Sequence, residues 1–192
     1  MTGVADLPLD ELIAGLTVDV PDFPEPGVLF RDLTPVFADG PAFRRVIGGL
    51  AAPAASDPRV GAGAEDGDPG FDVVVGVEAR GFLLAAAVAY EAGVGVVPVR
   101  KAGKLPRERH AAEYVLEYGP VTLELHTDSI RAGQRVLIVD DVLATGGTLG
   151  AAIMLVEEAG GVVAAVSVII ELAALGGRQQ IAPHAVHSLW TT

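Results

Sequence analysis

Two adjacent aspartates, Asp140 and Asp141, stand between an apolar run at residues 136–139 and a turn that contains two glycines. The apolar run is typical of a buried strand, and the apolar periodicity that begins at Leu149 predicts a helix. In open α/β sheets, ligands bind beyond the carboxyl ends of the strands, where a strand of this kind turns into a helix. The segment 136–148 is therefore the first candidate for a binding site.

The turn has the residue types of a phosphate site. Glycines let the backbone approach an anion closely, and a helix start offers unpaired N–H groups with a partial positive charge. Thr145 and Thr148 add hydroxyl donors, while the two carboxylates suit ribose hydroxyls, which donate hydrogen bonds. Acids near a helix start can also serve the helix dipole alone, and a Thr-Gly-Gly turn by itself would favour that alternative. The full run of 13 residues favours a ribose monophosphate site.

A second candidate is a basic cluster within ten residues, formed by Arg100, Lys101, Lys104, Arg107 and Arg109. It holds five of the chain's 13 basic side chains and both of its lysines. A charge run of this kind is often only a solvated surface. The formal net charge of −12 opposes general binding to nucleic acid or anionic lipid, so we expect neither as a partner. The local concentration of positive charge instead favours a small anionic substrate.

Alternating helix and strand patterns predict an α/β fold with a mostly parallel central sheet. Helical spacing of apolar residues occurs at 9–16, 43–50 and 149–156, and a fourth helix is expected between Gly81 and Gly93. Strands buried on both faces are expected at residues 73–77, 94–99, 136–139 and 162–170.

An antiparallel hairpin is expected to project from this sheet. Residues 121–125 alternate between apolar and polar types, residues 114–118 precede them, and Gly119 and Pro120 stand between the two as a turn. Residues 56–70 are rich in glycine, proline and aspartate, and we interpret them as a surface loop without chemistry.

Composition excludes several classes of protein and site. A chain of 192 residues suits one domain with a sizeable core, and 51% hydrophobic with 20% charged residues is typical of a globular enzyme. No apolar run reaches the roughly 18–20 residues of a membrane span, and acidic residues near the N-terminus predict a cytoplasmic protein. The absence of cysteine excludes disulfides, thiolate metal sites and a cysteine nucleophile. We assign no role to His110 or His126, because single histidines in polar segments are usually solvated.

The run at residues 136–148, VLIVDDVLATGGT, resembles the 5-phosphoribosyl-1-pyrophosphate signature of the type I phosphoribosyltransferases. Segments at 21–37, 73–85, 99–106 and 116–119 are similar, in the same order, to the adenine-specific branch of that family. The resemblance implies transfer of ribose 5-phosphate from 5-phosphoribosyl-1-pyrophosphate to adenine, which gives AMP and pyrophosphate in purine salvage.

The resemblance also implies the type I phosphoribosyltransferase fold over a single domain of residues 1–192. An N-terminal hood, about residues 1–40, would contact the base, and the core would span about 41–175. Residues 102–112 would form a mobile lid over the site. The implied cofactor is Mg²⁺, bound mainly through the substrate pyrophosphate rather than by protein metal ligands, and the implied assembly is a homodimer.

Individual roles carry over from the matching motifs. Asp140 and Asp141 would hold the ribose hydroxyls, and Arg80 would meet the pyrophosphate beside a Glu78–Ala79 peptide that relatives often hold cis. An arginine at a helix start could instead make only a surface ion pair, although the helix dipole disfavours that placement without an anion nearby. By ligand, the implied contacts are Ala144, Thr145, Gly146, Gly147 and Thr148 for the 5-phosphate, Glu78, Ala79, Arg80, Arg100, Lys101 and Lys104 for the pyrophosphate, and Leu29, Phe30 and Arg31 for the base. The implied catalytic residues are Arg80, Lys101, Lys104 and Glu117, and the neighbouring Tyr118 could equally be a core residue of the hairpin.

Other bases and other functions are the alternatives. Relatives that use hypoxanthine or guanine typically meet the 6-oxo group with a lysine near the C-terminal end of the domain, but no lysine follows Lys104 and only Ser167 is polar within 162–170. Adenine presents an amino donor beside a ring-nitrogen acceptor, which backbone groups at 28–31 can satisfy. The nearest alternative is the same reaction with hypoxanthine, guanine, xanthine or orotate as the base.

Two alternatives belong to other classes, and the sequence disfavours both. A transcriptional regulator would need a basic addition that binds nucleic acid, whereas the first twenty or so residues are acidic. A dehydrogenase would need the motif G-x-G-x-x-G after a strand, and the sequence has none there.

Overall fold

A seven-stranded sheet with helices on both faces forms the centre of the fold. The computed structural model describes residues 7–56, 68–116 and 119–192. Among these residues no helix is both long and apolar enough to cross a membrane. In chain order the helices and strands are α1 (Leu9–Leu16), β1 (Val18–Pro21), β2 (Leu29–Asp32), α2 (Thr34–Ala38), α3 (Gly40–Ser56), β3 (Val73–Val77), α4 (Arg80–Ala92), β4 (Gly95–Lys101), β5 (Arg109–Leu116), β6 (Gly119–His126), β7 (Arg135–Leu143), α5 (Gly147–Glu158), β8 (Val162–Glu171), α6 (Gly177–Gln180) and β9 (Val186–Thr191).

The strands of the central sheet lie in the order β5-β6-β4-β3-β7-β8-β9. Neighbours from β4 to β9 in this order are parallel, whereas β6 is antiparallel to both β4 and β5. One core cluster packs α5 against one face of the sheet, and a second packs α3 and α4 against the other. The predicted α/β fold, with a mostly parallel sheet and an antiparallel hairpin, is confirmed.

The four predicted helices are present as α1, α3, α4 and α5. α4 ends where Gly93 takes a φ of +69°, the left-handed conformation in which glycine commonly ends a helix. Three predicted strands are buried almost throughout as β3, β7 and β8. In β4 the prediction of burial on both faces is wrong, because Val97 and Val99 are buried while Val96 is 48% exposed. An apolar run alone does not show whether a helix covers each face of its strand.

The predicted hairpin is present and its position in the sequence is shifted. β5 and β6 pair from Arg109 with His126 to Leu116 with Gly119. The expected turn at Gly119 and Pro120 is wrong, because both residues belong to β6 and pair with Leu116 and Val115 of β5. Residues 117–118, which connect the two strands, lie outside the described residues, as does most of the expected surface loop.

Several short elements carry no periodic signal and were not predicted. β1 and β2 form a separate two-stranded antiparallel sheet within the expected hood. α2, α6 and β9 are also short, and β9 mixes polar with apolar residues. β9 lies beyond residue 175, the expected end of the core, and pairs parallel with β8. The central sheet therefore extends close to the end of the described chain.

The order of the strands brings distant segments to one edge. β3 lies between β4 and β7, and Gly76 pairs with Pro98 on one side and with Val139 on the other. Parallel strands end at the same edge of a sheet, so the residues that close β3, β4 and β7 lie together. This edge positions the candidate site.

Candidate active site

The turn between β7 and α5 has the shape expected of an anion-binding turn. Gly146 precedes the helix with a φ of +90°, and its carbonyl oxygen accepts a hydrogen bond of 2.8 Å from the Gly150 N–H. A Cβ on Gly146 would lie 2.8 Å from the carbonyl oxygen of Gly177, so a larger residue is excluded by backbone contact as well as by φ. The N–H groups of the first helical turn have no partner within the helix, which leaves them for an anion. Ala144 to Thr148 all lie in this turn and the start of α5.

Asp140 and Asp141 lie inside β7 rather than after it, because the strand continues to Leu143. Both are nearly enclosed, at 8% and 6% exposed. The Asp141 N–H donates to Oδ1 of Asp140 over 2.9 Å. Burial raises the pKa of Asp140 well above its ordinary value, and the negative charge of Asp141 adds to the rise. Two acids so placed form a concentrated acceptor site at the sheet edge.

Arg80 connects these acids to the N-terminal segment. It is the first residue of α4, and its Nη2 lies 2.7 Å from Oδ2 of Asp141. The direction of this contact does not make it a hydrogen bond, so Oδ2 is a buried acceptor held by charge alone. On its other side the guanidinium carbon lies 5.1 Å from the ring centre of Phe30. The ion pair involves a buried acid of the site, not a surface partner.

Glu78 contacts three basic residues at the end of β4 and just after it. The peptide bond between Glu78 and Ala79 is cis. Oε2 of Glu78 accepts from the Lys101 N–H over 3.0 Å and lies 3.5 Å from Nε of Arg100, while Oε1 accepts from Nζ of Lys104. Burial acts to raise the pKa of Glu78, but the hydrogen bonds and charges of these neighbours outweigh it, so the pKa is lowered. Glu78 thus fixes the segment expected to meet the pyrophosphate.

The rest of the basic cluster also faces acids. Oε1 of Glu124 lies 2.8 Å from Nε of Arg109, and its Oε2 accepts from the Gly103 N–H over 3.0 Å. Arg107 pairs with Asp128 on the surface. The cluster therefore includes several ion pairs and is not an open positive patch. The spacing of the basic residues could not predict these ion pairs, because their acidic partners, Glu78, Glu124 and Asp128, come from other parts of the chain.

The residues expected at the base lie on β2. Leu29 is 49% exposed, Phe30 meets Phe23 edge-on with ring centres 5.1 Å apart, and the guanidinium of Arg31 lies 4.7 Å from the ring centre of Trp190. Among the described residues β2 pairs with β1 alone, so one edge of β2 has no strand partner. Backbone N–H and C=O groups along such an edge are free to bind a small molecule.

Four residues at the site were missed from sequence. The Tyr114 hydroxyl is hydrogen-bonded to that of Thr148, and Glu124 forms an ion pair with Arg109 at the start of β5. The ring of Trp190 packs against the guanidinium of Arg31. Gly177 packs against the turn between β7 and α5, where a Cβ would lie 2.2 Å from the Ala144 carbonyl oxygen. The Gly176-Gly177 pair was a usable signal of close backbone approach, whereas the others sit in elements without a motif. The expected catalytic residue Glu117, with Tyr118, lies outside the described residues.

No group of three or more His, Cys, Asp or Glu side chains among the described residues could enclose a metal ion. Mg²⁺ commonly keeps several waters and binds through one or two carboxylates together with substrate phosphates. The donors near the phosphate turn fit that second pattern, because Oδ2 of Asp141 is a buried acceptor without a hydrogen bond.

Comparisons with known proteins show the family of the chain. The model of the phosphoribosyl transferase domain family matches residues 38–185. An adenine phosphoribosyltransferase of Salinispora arenicola is 58% identical over 181 residues, which cover 94% of this chain and 90% of the relative. An adenine phosphoribosyltransferase structure from Thermoanaerobacter pseudethanolicus superposes with a TM-score of 0.84 at 44% identity, covering 96% of this chain and 99% of that one.

A third similar protein was solved with the base in place. The adenine phosphoribosyltransferase of Saccharomyces cerevisiae in complex with adenine has a TM-score of 0.85 at 35% identity, covering 94% of this chain and 98% of that one. The chain belongs to the phosphoribosyl transferase family, on the branch of the adenine phosphoribosyltransferases.

Proposed function

We propose that the site transfers ribose 5-phosphate from 5-phosphoribosyl-1-pyrophosphate to adenine, with release of pyrophosphate and formation of AMP. The position of Arg80 carries this proposal. Its guanidinium lies between the ring of Phe30 and the carboxylate of Asp141, so one side chain contacts both the expected base segment and the expected ribose acids. A base held at β2 would therefore face a sugar held at β7.

We assign the sugar phosphate to β7 and the turn that follows it. The N–H groups at the start of α5 bind the 5-phosphate, with the hydroxyls of Thr145 and Thr148. Asp140 and Asp141 accept hydrogen bonds from the ribose 2- and 3-hydroxyls. Their spacing along one strand and turn suits this order, since the acids precede the phosphate turn by only a few residues.

We assign the pyrophosphate to Arg80, Lys101 and Lys104, with Arg100 beside them. The transition state at the anomeric carbon has oxocarbenium character, and the bond to pyrophosphate breaks as negative charge grows on the leaving group. Positive side chains held in place before reaction stabilise that charge. The contacts of Glu78 with Lys104 and with the backbone of Lys101 support this assignment, because they hold both lysines at the sheet edge.

We assign adenine to β2 within a hood of about residues 1–40. The amino group of adenine donates to a backbone C=O, and a ring nitrogen accepts from a backbone N–H, at the edge of β2 that lacks a strand partner. Phe30 packs against the base. Of the expected lid at 102–112, residues 109–112 belong to β5, in which Ala112 packs on the core, so residues 102–108 are the part that would exclude water from the activated sugar. Glu117 lies outside the described residues and stays a candidate catalytic residue by resemblance alone.

We propose that Mg²⁺ binds mainly through oxygens of the pyrophosphate and its own waters. When bound, it would screen the phosphate charges that the protein's cations do not reach. Oδ2 of Asp141 can accept a hydrogen bond from a ribose hydroxyl or from a water of the hydrated ion, and it has no other hydrogen bond.

We further propose that the chain works as a homodimer. Leu83 on α4 is 58% exposed and Val96 on the neighbouring strand β4 is 48% exposed. Two large apolar side chains on adjoining elements suit a surface covered by a second copy. Arg100 lies near this surface, since its guanidinium is 5.9 Å from the ring centre of Phe82.

The proposal is tested by comparing kcat/KM for adenine, hypoxanthine and guanine at fixed 5-phosphoribosyl-1-pyrophosphate with Mg²⁺. We expect a preference for adenine well above tenfold, because each polar group left unpaired in the closed site costs about 1–3 kcal/mol. The described chain offers no lysine to a 6-oxo group after Lys104, and Ser167 is fully buried within β8. The negative control replaces 5-phosphoribosyl-1-pyrophosphate with ribose 5-phosphate, which has no pyrophosphate to release. Equal values would overturn the base assignment, and no pyrophosphate release with any purine would overturn the transferase.

A further inference from the structure

Strand β5 lies along helix α5 through one face of the strand. Side chains alternate in a strand, so His110, Ala112 and Tyr114 share a face. Ala112 is 4% exposed and belongs to the core cluster that contains α5, and Tyr114 packs against the same cluster. Ala111 and Glu113, on the opposite face, are exposed. The hairpin is therefore docked on the helix that begins at the phosphate turn.

Two polar contacts fix the alignment of strand and helix. Nδ1 of His110 lies 2.9 Å from Oε1 of Glu158 in the last turn of α5, and the Thr148 hydroxyl donates to the Tyr114 hydroxyl over 3.1 Å in the first turn. From Thr148 to Glu158 a helix rises about 15 Å. From His110 to Tyr114 a strand rises about 13 Å. The two distances are similar, so the contact of His110 at one end of α5 leaves the Tyr114 hydroxyl beside Thr148 at the other end.

The chemistry of the two hydroxyls suggests what this contact does. A hydroxyl has one proton to donate and can accept two hydrogen bonds, and its proton turns toward the acceptor that is present. An ionised phosphate oxygen only accepts. When a 5-phosphate occupies the turn, the Thr148 proton is needed by the phosphate, and the Tyr114 hydroxyl is placed to donate to Oγ1 of Thr148. Such a chain of hydrogen bonds polarises and strengthens its members.

We propose that Tyr114 is a positioning residue for the 5-phosphate: its hydroxyl orients Thr148 and couples the hairpin to the occupied phosphate site. This inference rests on the proposed function, in which Thr148 binds that phosphate. The ring of Tyr114 packs on the core and needs no hydroxyl to do so. Removal of the hydroxyl alone therefore separates positioning from packing.

The test compares Tyr114→Phe with Tyr90→Phe, which removes a hydroxyl from a ring that is 89% exposed on α4. We expect Tyr114→Phe to raise the KM for 5-phosphoribosyl-1-pyrophosphate and the calorimetric Kd for AMP about three- to tenfold, the usual size of one lost hydrogen bond. The KM for adenine and the melting temperature should be unchanged, because neither the base segment nor the ring packing is touched. Tyr90→Phe should match the wild type in every measurement.

A second variant tests the route through Thr148. Thr148→Val removes the relay, so adding Tyr114→Phe to it should raise the Kd for AMP no further. Additive effects, an unchanged KM in Tyr114→Phe, or an equal rise in KM for adenine would each overturn the positioning role. A wild-type chain that releases no pyrophosphate would instead overturn the proposed function, so the two failures are distinguishable.

Discussion

The carboxyl of Asp140 is 8% exposed and lies beside the carboxyl of Asp141. Burial of a charge beside a like charge is unfavourable, which is why the pKa of Asp140 is raised. A residue kept for its ribose contact under these conditions works against the stability of the fold. Asn has nearly the same shape, and its side-chain oxygen can still accept from the Asp141 N–H.

Replacing Asp140 with Asn should therefore leave the fold at least as stable while turnover falls more than tenfold, since a ribose hydroxyl loses its charged acceptor. Asp141→Asn should also lower turnover, because Arg80 loses the charge that holds it 2.7 Å away. Steady-state kinetics and thermal unfolding of both variants check the pair. Wild-type activity in both would show that the acids do not hold the ribose.

The stability gain of Asp140→Asn should depend on pH in a defined direction. The folded wild type keeps a proton on Asp140 at pH values where the unfolded chain, with a pKa of about 3.9, has lost it. The wild type is therefore destabilised as pH rises from about 4 through the folded pKa, and the variant is not. The difference in free energy of unfolding should grow across that window and then stay constant. A difference that shrinks with rising pH would contradict the burial argument.

Sequence predicts the individual chemical groups of the site better than their partners. Asp140, Asp141 and the glycines of the turn could be predicted because they lie in one short run with a strand before it and a helix after it. The contact of Glu78 with Lys104 and that of Tyr114 with Thr148 could not, since each joins residues on different elements. Such contacts depend on how the elements pack, which local spacing does not specify.

At the scale of elements, the segment between β4 and β5 is held at both ends by one buried acid. Glu124 on β6 is 4% exposed and binds the Gly103 N–H at the start of the segment and Arg109 at its end. Lys104, which is expected to contact the pyrophosphate, lies between these anchors. Because Glu124 belongs to the hairpin, the position of this segment follows the position of the hairpin.

Residues 101–109 should exchange amide hydrogens rapidly in the free protein and slowly with 5-phosphoribosyl-1-pyrophosphate and Mg²⁺ bound. The ligand supplies anionic partners for Lys101 and Lys104, which draw the segment over the site. Hydrogen exchange followed by mass spectrometry measures this directly. Slow exchange in the free protein, or exchange that the ligand does not change, would count against a lid.

Glu124→Gln should speed that exchange and raise the KM for the pyrophosphate donor several-fold, because the charge that holds Arg109 is lost while the side chain keeps its shape. Asp128→Asn is the matched control. It removes an acid whose pair with Arg107 is exposed on both sides, and such surface pairs contribute about 0–1 kcal/mol. Equal effects of the two variants would show that Glu124 is not the anchor.

The elements that could be predicted from sequence are the long periodic ones. α3, α4 and α5 bury apolar residues at helical spacing, and continuous apolar runs form β3 and residues 136–139 of β7. β2, α6 and β9 are short and contain polar or proline-flanked residues, so no period develops. They nevertheless contribute to the candidate site, because β2 carries Phe30 and Gly177 at the start of α6 packs against the turn between β7 and α5.

At the scale of the whole molecule, the site depends on strand order. β3, β4 and β7 are adjacent in the sheet although a hairpin separates β4 from β7 in the sequence. Alternation of helices and strands predicts a parallel sheet, but it does not give the order of the strands. Only with β3 at the centre do Glu78, Lys101 and Asp140 share an edge.

The same arrangement leaves exposed apolar side chains, Leu83 and Val96, beside the residues expected at the pyrophosphate, and we expect a second copy of the chain to cover them. Leu83→Glu on α4 should convert a dimer to monomers, because a charge cannot be buried in an apolar interface without a partner. Met154→Glu on α5 is the matched control, since Leu83 and Met154 are each 58% exposed. Sedimentation velocity gives the assembly state, and kcat/KM for the pyrophosphate donor should fall in the Leu83 variant alone, because Phe82 next to Leu83 stacks on Arg100. A wild type that sediments as a monomer would show that there is no such interface. A dimer that survives Leu83→Glu and dissociates with Met154→Glu would place the interface on α5 instead.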